Sequence, residues 1–236
     1  MKLTILAEGS TKWQRLIRRW GVSFLLDNDI LFDAFGRADI FKQNLYKFNI
    51  DIKQIKTVIL SHEHWDHIDG LKYLLENQKD ITVYVPSGFN KTIKESISAF
   101  GVKLIETHQT TQIKENVYIS ETLCGYLHGH EICEQSLVVK TDKGLSVICG
   151  CAHPGIDNIV TKIKQDFKEN VYSLIGGFHM KDNTDDFNRS IINNLKEAGI
   201  KRIIPMHCTG KRAVETIHQT FGDDFIQITE GNIIEL

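Results

Sequence analysis

The stretch Thr57-Val58-Ile59-Leu60-Ser61-His62-Glu63-His64-Trp65-Asp66-His67 decides how this chain is read. A short apolar strand, Thr57–Leu60, runs directly into three imidazoles and two carboxylates packed into seven residues. In an extended segment alternate side chains share a side, so His62, His64 and Asp66 project together, and a turn after Asp66 brings His67 to join them. The residues from Ile68 to Glu76 read as a helix that supplies this turn. Neutral imidazole nitrogens and carboxylate oxygens suit Zn²⁺, Fe or Mn²⁺, and four ligands from one loop point to two metals sharing it.

Candidate ligands recur at later strand ends. Gly150-Cys151-Ala152-His153-Pro154-Gly155 lies between an apolar strand, Leu145–Cys149, and a helix, and Pro205-Met206-His207-Cys208 follows the strand Arg202–Pro205. The strand Val171–Ile175 ends in Gly176-Gly177-Phe178-His179, where a glycine pair permits close backbone approach and presents His179 as a catalytic candidate. Asp33, just past the strand Ile30–Phe32, is placed either to fix an imidazole tautomer or to close a turn. His128 and His130, in Leu127-His128-Gly129-His130, read as a surface loop, and Cys151 as a ligand or a small buried thiol.

Around these motifs the chain is ordinary. Its 236 residues carry 28 Lys plus Arg against 30 Asp plus Glu, a formal charge of −2, with 42% hydrophobic content. That balance leaves no basic footprint for nucleic acid. No apolar run approaches the ~20 residues that span a bilayer, and Met1–Trp13 reads as strand then polar loop, so the expected compartment is the cytoplasm with no membrane partner. Five cysteines, Cys124, Cys133, Cys149, Cys151 and Cys208, are an odd number without framework spacing, so reduced thiols are expected.

No linker, repeat or low-complexity segment interrupts residues 1–236, which read as one domain. The first third gives strands at Leu3–Leu6, Val22–Leu26 and Ile30–Phe32 and a helix at Ala38–Phe48. The middle mixes short strands with a helix near Lys91–Ala99. The last third alternates helices (Ile156–Phe167, Asp185–Ala198, Lys211–Thr220) with strands (Val171–Ile175, Arg202–Pro205) and closes on a strand pair, Phe225–Ile228 and Ile233–Glu235. Hairpins mixed with β-α units predict an α/β or α+β fold of stacked sheets with helices outside.

The loop resembles the His-x-His-x-Asp-His signature of the metallo-β-lactamase superfamily. The further series Trp20-Gly21-Val22-Ser23-Phe24-Leu25-Leu26, Ile30-Leu31-Phe32-Asp33-Ala34, Glu134-Gln135-Ser136-Leu137, Gly150-Cys151-Ala152-His153-Pro154-Gly155, Gly176-Gly177-Phe178-His179 and His207-Cys208-Thr209-Gly210 is similar to the subgroup of archaeal dihydropterin-methyl-ribofuranosylaminobenzene phosphate synthases and related metal-dependent hydrolases. Glu63 departs from the glycine usual there, and Phe32-Asp33-Ala34-Phe35-Gly36 from the usual Phe-Asp-Thr-Gly. The resemblance implies a four-layered αββα sandwich, with His62 and His64 on a first metal, Asp66 and His67 on a second, and His207 at the last ligand position of the second site. Two assignments complete the set. In one, His153 is the third ligand of the first metal; in the other, His130 takes that place and Cys151 binds the second metal. A histidine two residues past a strand end, like His62 and His207, favours His153.

The expected activity is hydrolysis of a small anionic, phosphorylated ester by metal-bound hydroxide at a dinuclear centre, zinc first, with Mn or Fe as alternatives. Asp66 orients the nucleophile as well as binding. Arg15, Arg18 and Arg19, in the Trp/Arg-rich stretch Thr11–Trp20, and Thr209 with Lys211, at a helix start, are candidate anion contacts. A transferase joining a dihydropterin-methyl diphosphate to an aromatic ribosyl phosphate would use the same ligands. The third reading, from another class, is a non-hydrolytic iron-binding or redox protein.

Overall fold

The computed structural model describes residues 1–236. In chain order the elements are β1 (Lys2–Gly9), α1 (Lys12–Leu16), β2 (Gly21–Leu26), β3 (Ile30–Phe32), α2 (Ala38–Lys47), β4 (Thr57–Ile59), α3 (Trp65–Ile68), α4 (Leu71–Asn77), β5 (Thr82–Pro86), α5 (Lys91–Ser98) and β6 (Lys103–Thr107). There follow β7 (Thr111–Lys114), β8 (Val117–Ile119), β9 (Leu123–Leu127), β10 (His130–Glu134), β11 (Leu137–Thr141), β12 (Gly144–Cys149), α6 (Ile156–Phe167), β13 (Val171–Gly177), α7 (Asp185–Glu197), β14 (Arg202–Met206), α8 (Lys211–Phe221) and β15 (Ile233–Glu235). None of the helices is long and apolar enough to cross a membrane.

The chain divides into two compact units, residues 1–108 with 229–236, and residues 109–228. The first holds a seven-stranded sheet ordered β15-β1-β2-β3-β4-β5-β6, antiparallel from β15 to β3 and parallel from β3 to β6. Its helices bury Phe41, Leu45, Leu71, Leu74, Leu75 and Ile97 against sheet residues such as Leu25, Leu31, Val58 and Val83. Of the parallel strands, β3 is apolar and buried throughout and β4 nearly so, as burial on both faces requires, whereas the edge strand β6 reads Lys103-Leu104-Ile105-Glu106-Thr107 and buries only Thr107.

The second unit holds a six-stranded sheet ordered β14-β13-β12-β11-β8-β7, parallel across β12, β13 and β14, and a separate two-stranded hairpin of β9 and β10. Helices α6, α7 and α8 supply Ile159, Val160, Ile163, Ile191, Ile192, Leu195, Ala213 and Ile217 to one core with Val147, Val171, Leu174 and Ile203. The i, i+3, i+4 spacing of these residues sets one apolar stripe on each helix.

Three expectations need correction. The stretch after Ser10 is not all loop: α1 forms there, held by a capping box in which Thr11 accepts from the Gln14 N–H and the Gln14 side chain from the Thr11 N–H. Phe225–Ile228 is no strand; Phe225 makes a single isolated bridge to Ile203, and only Ile233–Glu235 pairs, with β1. The cysteines are not all reduced, because Cys124 and Cys133 form a disulfide, leaving buried thiols at Cys149, Cys151 and Cys208. Pairing of β9 with β10 puts Cys124 opposite Cys133, a register that cysteine spacing alone does not reveal.

The orientation of α7 gives a paired test. Ile192→Ala should lower the free energy of unfolding by about 2–5 kcal/mol, whereas Phe187→Ala on the solvent side of the same helix should change it by less than about 0.5 kcal/mol, both read from urea midpoints.

Candidate metal centre

In the first unit β3 and β4 are parallel neighbours with Phe32 opposite Ile59, so their C-terminal ends deliver Asp33 and Leu60-Ser61-His62 side by side. The Asp33 N–H donates to the Ile59 carbonyl (2.9 Å). Asp33 is fully buried and accepts from the Ser61 N–H (2.7 Å), the Ser61 hydroxyl (2.7 Å) and His67 Nδ1 (2.6 Å). Because a carboxylate only accepts, His67 carries its proton on Nδ1 and keeps a lone pair on Nε2. The Ser61 hydroxyl, having given its proton to Asp33, accepts from His62 Nδ1 (2.9 Å), which leaves a lone pair on His62 Nε2 as well.

Those nitrogens meet further donors. His62 Nε2 lies 3.0 Å from His64 Nδ1, and His67 Nε2 lies 3.6 Å from Asp66 Oδ2. Imidazole nitrogens and a carboxylate oxygen thus stand in two close pairs along a buried to half-buried loop, the donor types that suit a divalent ion. Glu63, the residue between the first two histidines, turns away: its carboxylate accepts the Asn90 N–H (2.6 Å).

In the second unit the C-terminal ends of three adjacent parallel strands, β12, β13 and β14, lead into Cys151, His179 and His207. One atom from each of Cys151, His207 and Cys208 lies within 4.8 Å of the other two. Gly177 makes this packing feasible, since a Cβ there would stand 2.4 Å from the Gly150 carbonyl and 2.7 Å from Cys208 Sγ. The glycine pair therefore admits the Cys208 thiol and its strand neighbour. Glu134, at the end of β10, holds His153 by its backbone N–H (3.2 Å) and by Nδ1, leaving Nε2 with the lone pair. The ring of His153 lies 4.3 Å from that of His179.

Environment sets the charge states. Burial, with His153 and Lys181 adding to it, pushes the His179 imidazole down to about 4, so it is neutral near pH 7. Burial pushes the Cys149 thiol up to about 12. At Cys208 burial acts in the same direction, but the contact with Cys151, the His207 ring, the His179 N–H and His153 together outweigh it and bring the thiol down to about 6. Asp33, Ala152, His179 and His207 all adopt left-handed backbone, with φ of 47–62°. Such conformations cost on the order of 1 kcal/mol each in non-glycine residues and concentrate where geometry serves function.

The remaining candidates are placed differently. His130 is exposed where β10 begins, beside His128 at the hairpin turn. Arg18 stacks on Trp65 (4.4 Å) and pairs with Asp69 (2.9 Å), Arg19 pairs with Glu230 (2.8 Å), and Arg15 lies over Trp20 (5.8 Å). Thr209 is buried, accepting from the Phe178 N–H and donating to the Met206 carbonyl, while Lys211 is exposed and 3.8 Å from Glu215. Sequence reasoning gave Glu134 no role; its partner lies 19 residues away, and only the motif Glu134-Gln135-Ser136-Leu137 marked it.

Comparison with known proteins bears on the family and the fold. A family model described as a beta-lactamase superfamily domain matches residues 28–133. The 7,8-dihydropterin-6-methyl-4-(β-D-ribofuranosyl)-aminobenzene-5'-phosphate synthase of Methanocaldococcus jannaschii is 30% identical over 262 aligned residues, covering 91% of this chain and 89% of the relative.

The chain belongs to the β-lactamase superfamily.

A crystal structure of a metal-dependent hydrolase of the superfamily superposes with a TM-score of 0.80 at 26% identity, covering 100% of this chain and 99% of that one. The metallo-β-lactamase fold protein YhfI of Bacillus subtilis superposes with a TM-score of 0.72 at 16% identity, covering 99% of both chains, and supports the fold alone. The metallo-β-lactamase fold expected from the sequence is therefore the fold of this protein.

Asp33→Ala should cost about 3 kcal/mol in unfolding free energy, because it strands the buried Ser61 N–H and His67 Nδ1 donors. Ser61→Ala should cost less, about 1 kcal/mol, since the direct Asp33 to His67 contact survives; urea midpoints of the two variants give the comparison.

Proposed function

We propose that the protein is a metal-dependent hydrolase acting on a small anionic, phosphorylated ester, with a dinuclear centre held by His62, His64, Asp66, His67, His153 and His207. The observation that carries this reading is the proton order of the loop: Asp33, directly and through Ser61, leaves His67 Nε2 and His62 Nε2 as lone pairs beside Asp66 and His64. Glu134 does the same for His153 in the second unit. We favour His153 over His130 as ligand because His153 is buried and oriented by a carboxylate while His130 is exposed. Cys151, beside His207, is a further donor for the second ion.

When bound, a pair of divalent ions, zinc being well suited to this nitrogen-rich set, supplies a water of lowered pKa as nucleophile and polarises the phosphoryl oxygen. The chain's own groups do the rest. Asp66 accepts a hydrogen bond from the nucleophile and orients its lone pair. His179, neutral near pH 7, offers one ring N–H to donate a hydrogen bond to an oxygen of the substrate and one lone pair to accept.

A second reading, a transferase that joins a dihydropterin-methyl diphosphate to an aromatic ribosyl phosphate, is favoured by the 30% identical synthase. It would use the same ligands to assist departure of diphosphate. Zinc- or manganese-loaded protein should hydrolyse bis-p-nitrophenyl phosphate, and His64→Ala should lower the rate by at least about 100-fold. Coupling of a pterin diphosphate without turnover of any ester would establish the transferase instead. Iron with an oxygen-dependent spectrum would favour the non-hydrolytic reading.

A further inference from the structure

The β9–β10 hairpin is cross-linked at the place where it grips His153. Cys124 and Cys133 face each other in register, with Cα atoms 4.0 Å apart, and are joined by the disulfide. The residue after Cys124 is Gly125, packed so tightly on the His153 segment that a Cβ would stand 2.5 Å from the His153 carbonyl oxygen. The residue after Cys133 is Glu134, which accepts from both the N–H and Nδ1 of His153. Each strand thus touches His153 one residue from the bridge.

The two ends of this device differ in access. Glu134 and the His153 side chain are buried, whereas Cys124 is exposed. The hairpin pairs with no third strand, and isolated two-stranded ribbons are marginal in water. The covalent bridge therefore adds to the five-residue pairing of β9 with β10 a direct constraint on the spacing between the Gly125 contact and the Glu134 carboxylate.

We infer that Cys124 and Cys133 form a thiol–disulfide exchange site for a dithiol reductant, and that its state sets how firmly Glu134 holds His153. The inference rests on the reading of His153 as a metal ligand. In the exchange, one thiolate of the dithiol attacks Sγ of the exposed residue Cys124. The Sγ–Sγ bond breaks, Cys133 leaves as a thiolate that takes a proton, and a mixed disulfide forms on Cys124. The donor's second thiol then displaces Cys124, which also leaves as a thiolate and is protonated. The donor ends as a disulfide, having given two electrons and two protons, and a disulfide of the same class reverses the step. Reduction releases the two strands from each other, and loosening a partner that orients a ligating imidazole costs roughly 10–100-fold in metal affinity.

The test uses the full chain stripped of metal, oxidised with diamide or reduced with dithiothreitol that is then removed under argon. Maleimide mass shifts report the redox state, and zinc is titrated against a chromogenic chelator. The oxidised form should bind zinc about tenfold or more tightly than the reduced form. Cys124→Ser with Cys133→Ser should bind like the reduced form under both conditions, and Glu134→Gln should bind weakly with no redox response. Equal affinities in the two forms, or two maleimide-reactive cysteines at positions 124 and 133 after oxidation, would overturn the inference. Histidine-selective ¹⁵N spectra of the metal-free protein separate the two readings. If neither form binds zinc yet the His153 Nδ1 signal moves on reduction, the clamp stands and the metal reading falls; if zinc binds and that signal stays fixed, the clamp alone falls.

Discussion

Asp33 holds the candidate centre of the first unit through one buried carboxylate. It binds Ser61 at two atoms and His67 at Nδ1, and through the Ser61 hydroxyl it also governs His62. The direction of every proton in this chain follows from a single fact, that a carboxylate accepts and cannot donate. Both imidazoles consequently point lone pairs at the neighbouring donors, and rotamer freedom that would otherwise be lost on binding an ion is already spent. Burial reinforces the arrangement, because an unmade hydrogen bond inside the protein costs more than a made one gains.

Sheet topology explains how distant residues come to such places. Parallel strands end on the same edge of a sheet, so β3 and β4 bring Asp33 to Ser61, and β12, β13 and β14 bring out Cys151, His179 and His207. The strand ends turn sharply, and four of the residues there, Asp33, Ala152, His179 and His207, take left-handed backbone at a cost the surrounding sheets absorb. The same logic places substrate sites at the carboxyl ends of strands in open α/β folds generally.

Much of this was legible in the sequence. An apolar strand followed by histidines at alternate positions marked the candidate ligand loop, and the apolar-strand ends before Cys151, His179 and His207 marked the other candidates. What escaped depended on register or on side-chain partners far along the chain. The pairing of Cys124 with Cys133 exists only once β9 and β10 align, and Glu134 meets His153 across 19 residues. Helix α1 buries none of its residues, so it shows no apolar period; only its capping box betrays it. Conversely the apolar run Phe225–Ile228 looked like a strand but finds just one bridge, at Phe225. The basic residues Arg18 and Arg19, attractive as anion contacts, are engaged by Asp69 and Glu230.

The most direct measurement is elemental analysis of protein purified without added metal, done in parallel on the wild type and on Asp33→Asn. Wild-type protein should carry about two divalent ions per chain and the variant clearly fewer, because its side-chain amide can no longer accept all three hydrogen bonds in the same proton order. Wild-type protein that is folded, free of metal and unable to take up zinc or manganese on dialysis would contradict the proposed dinuclear centre.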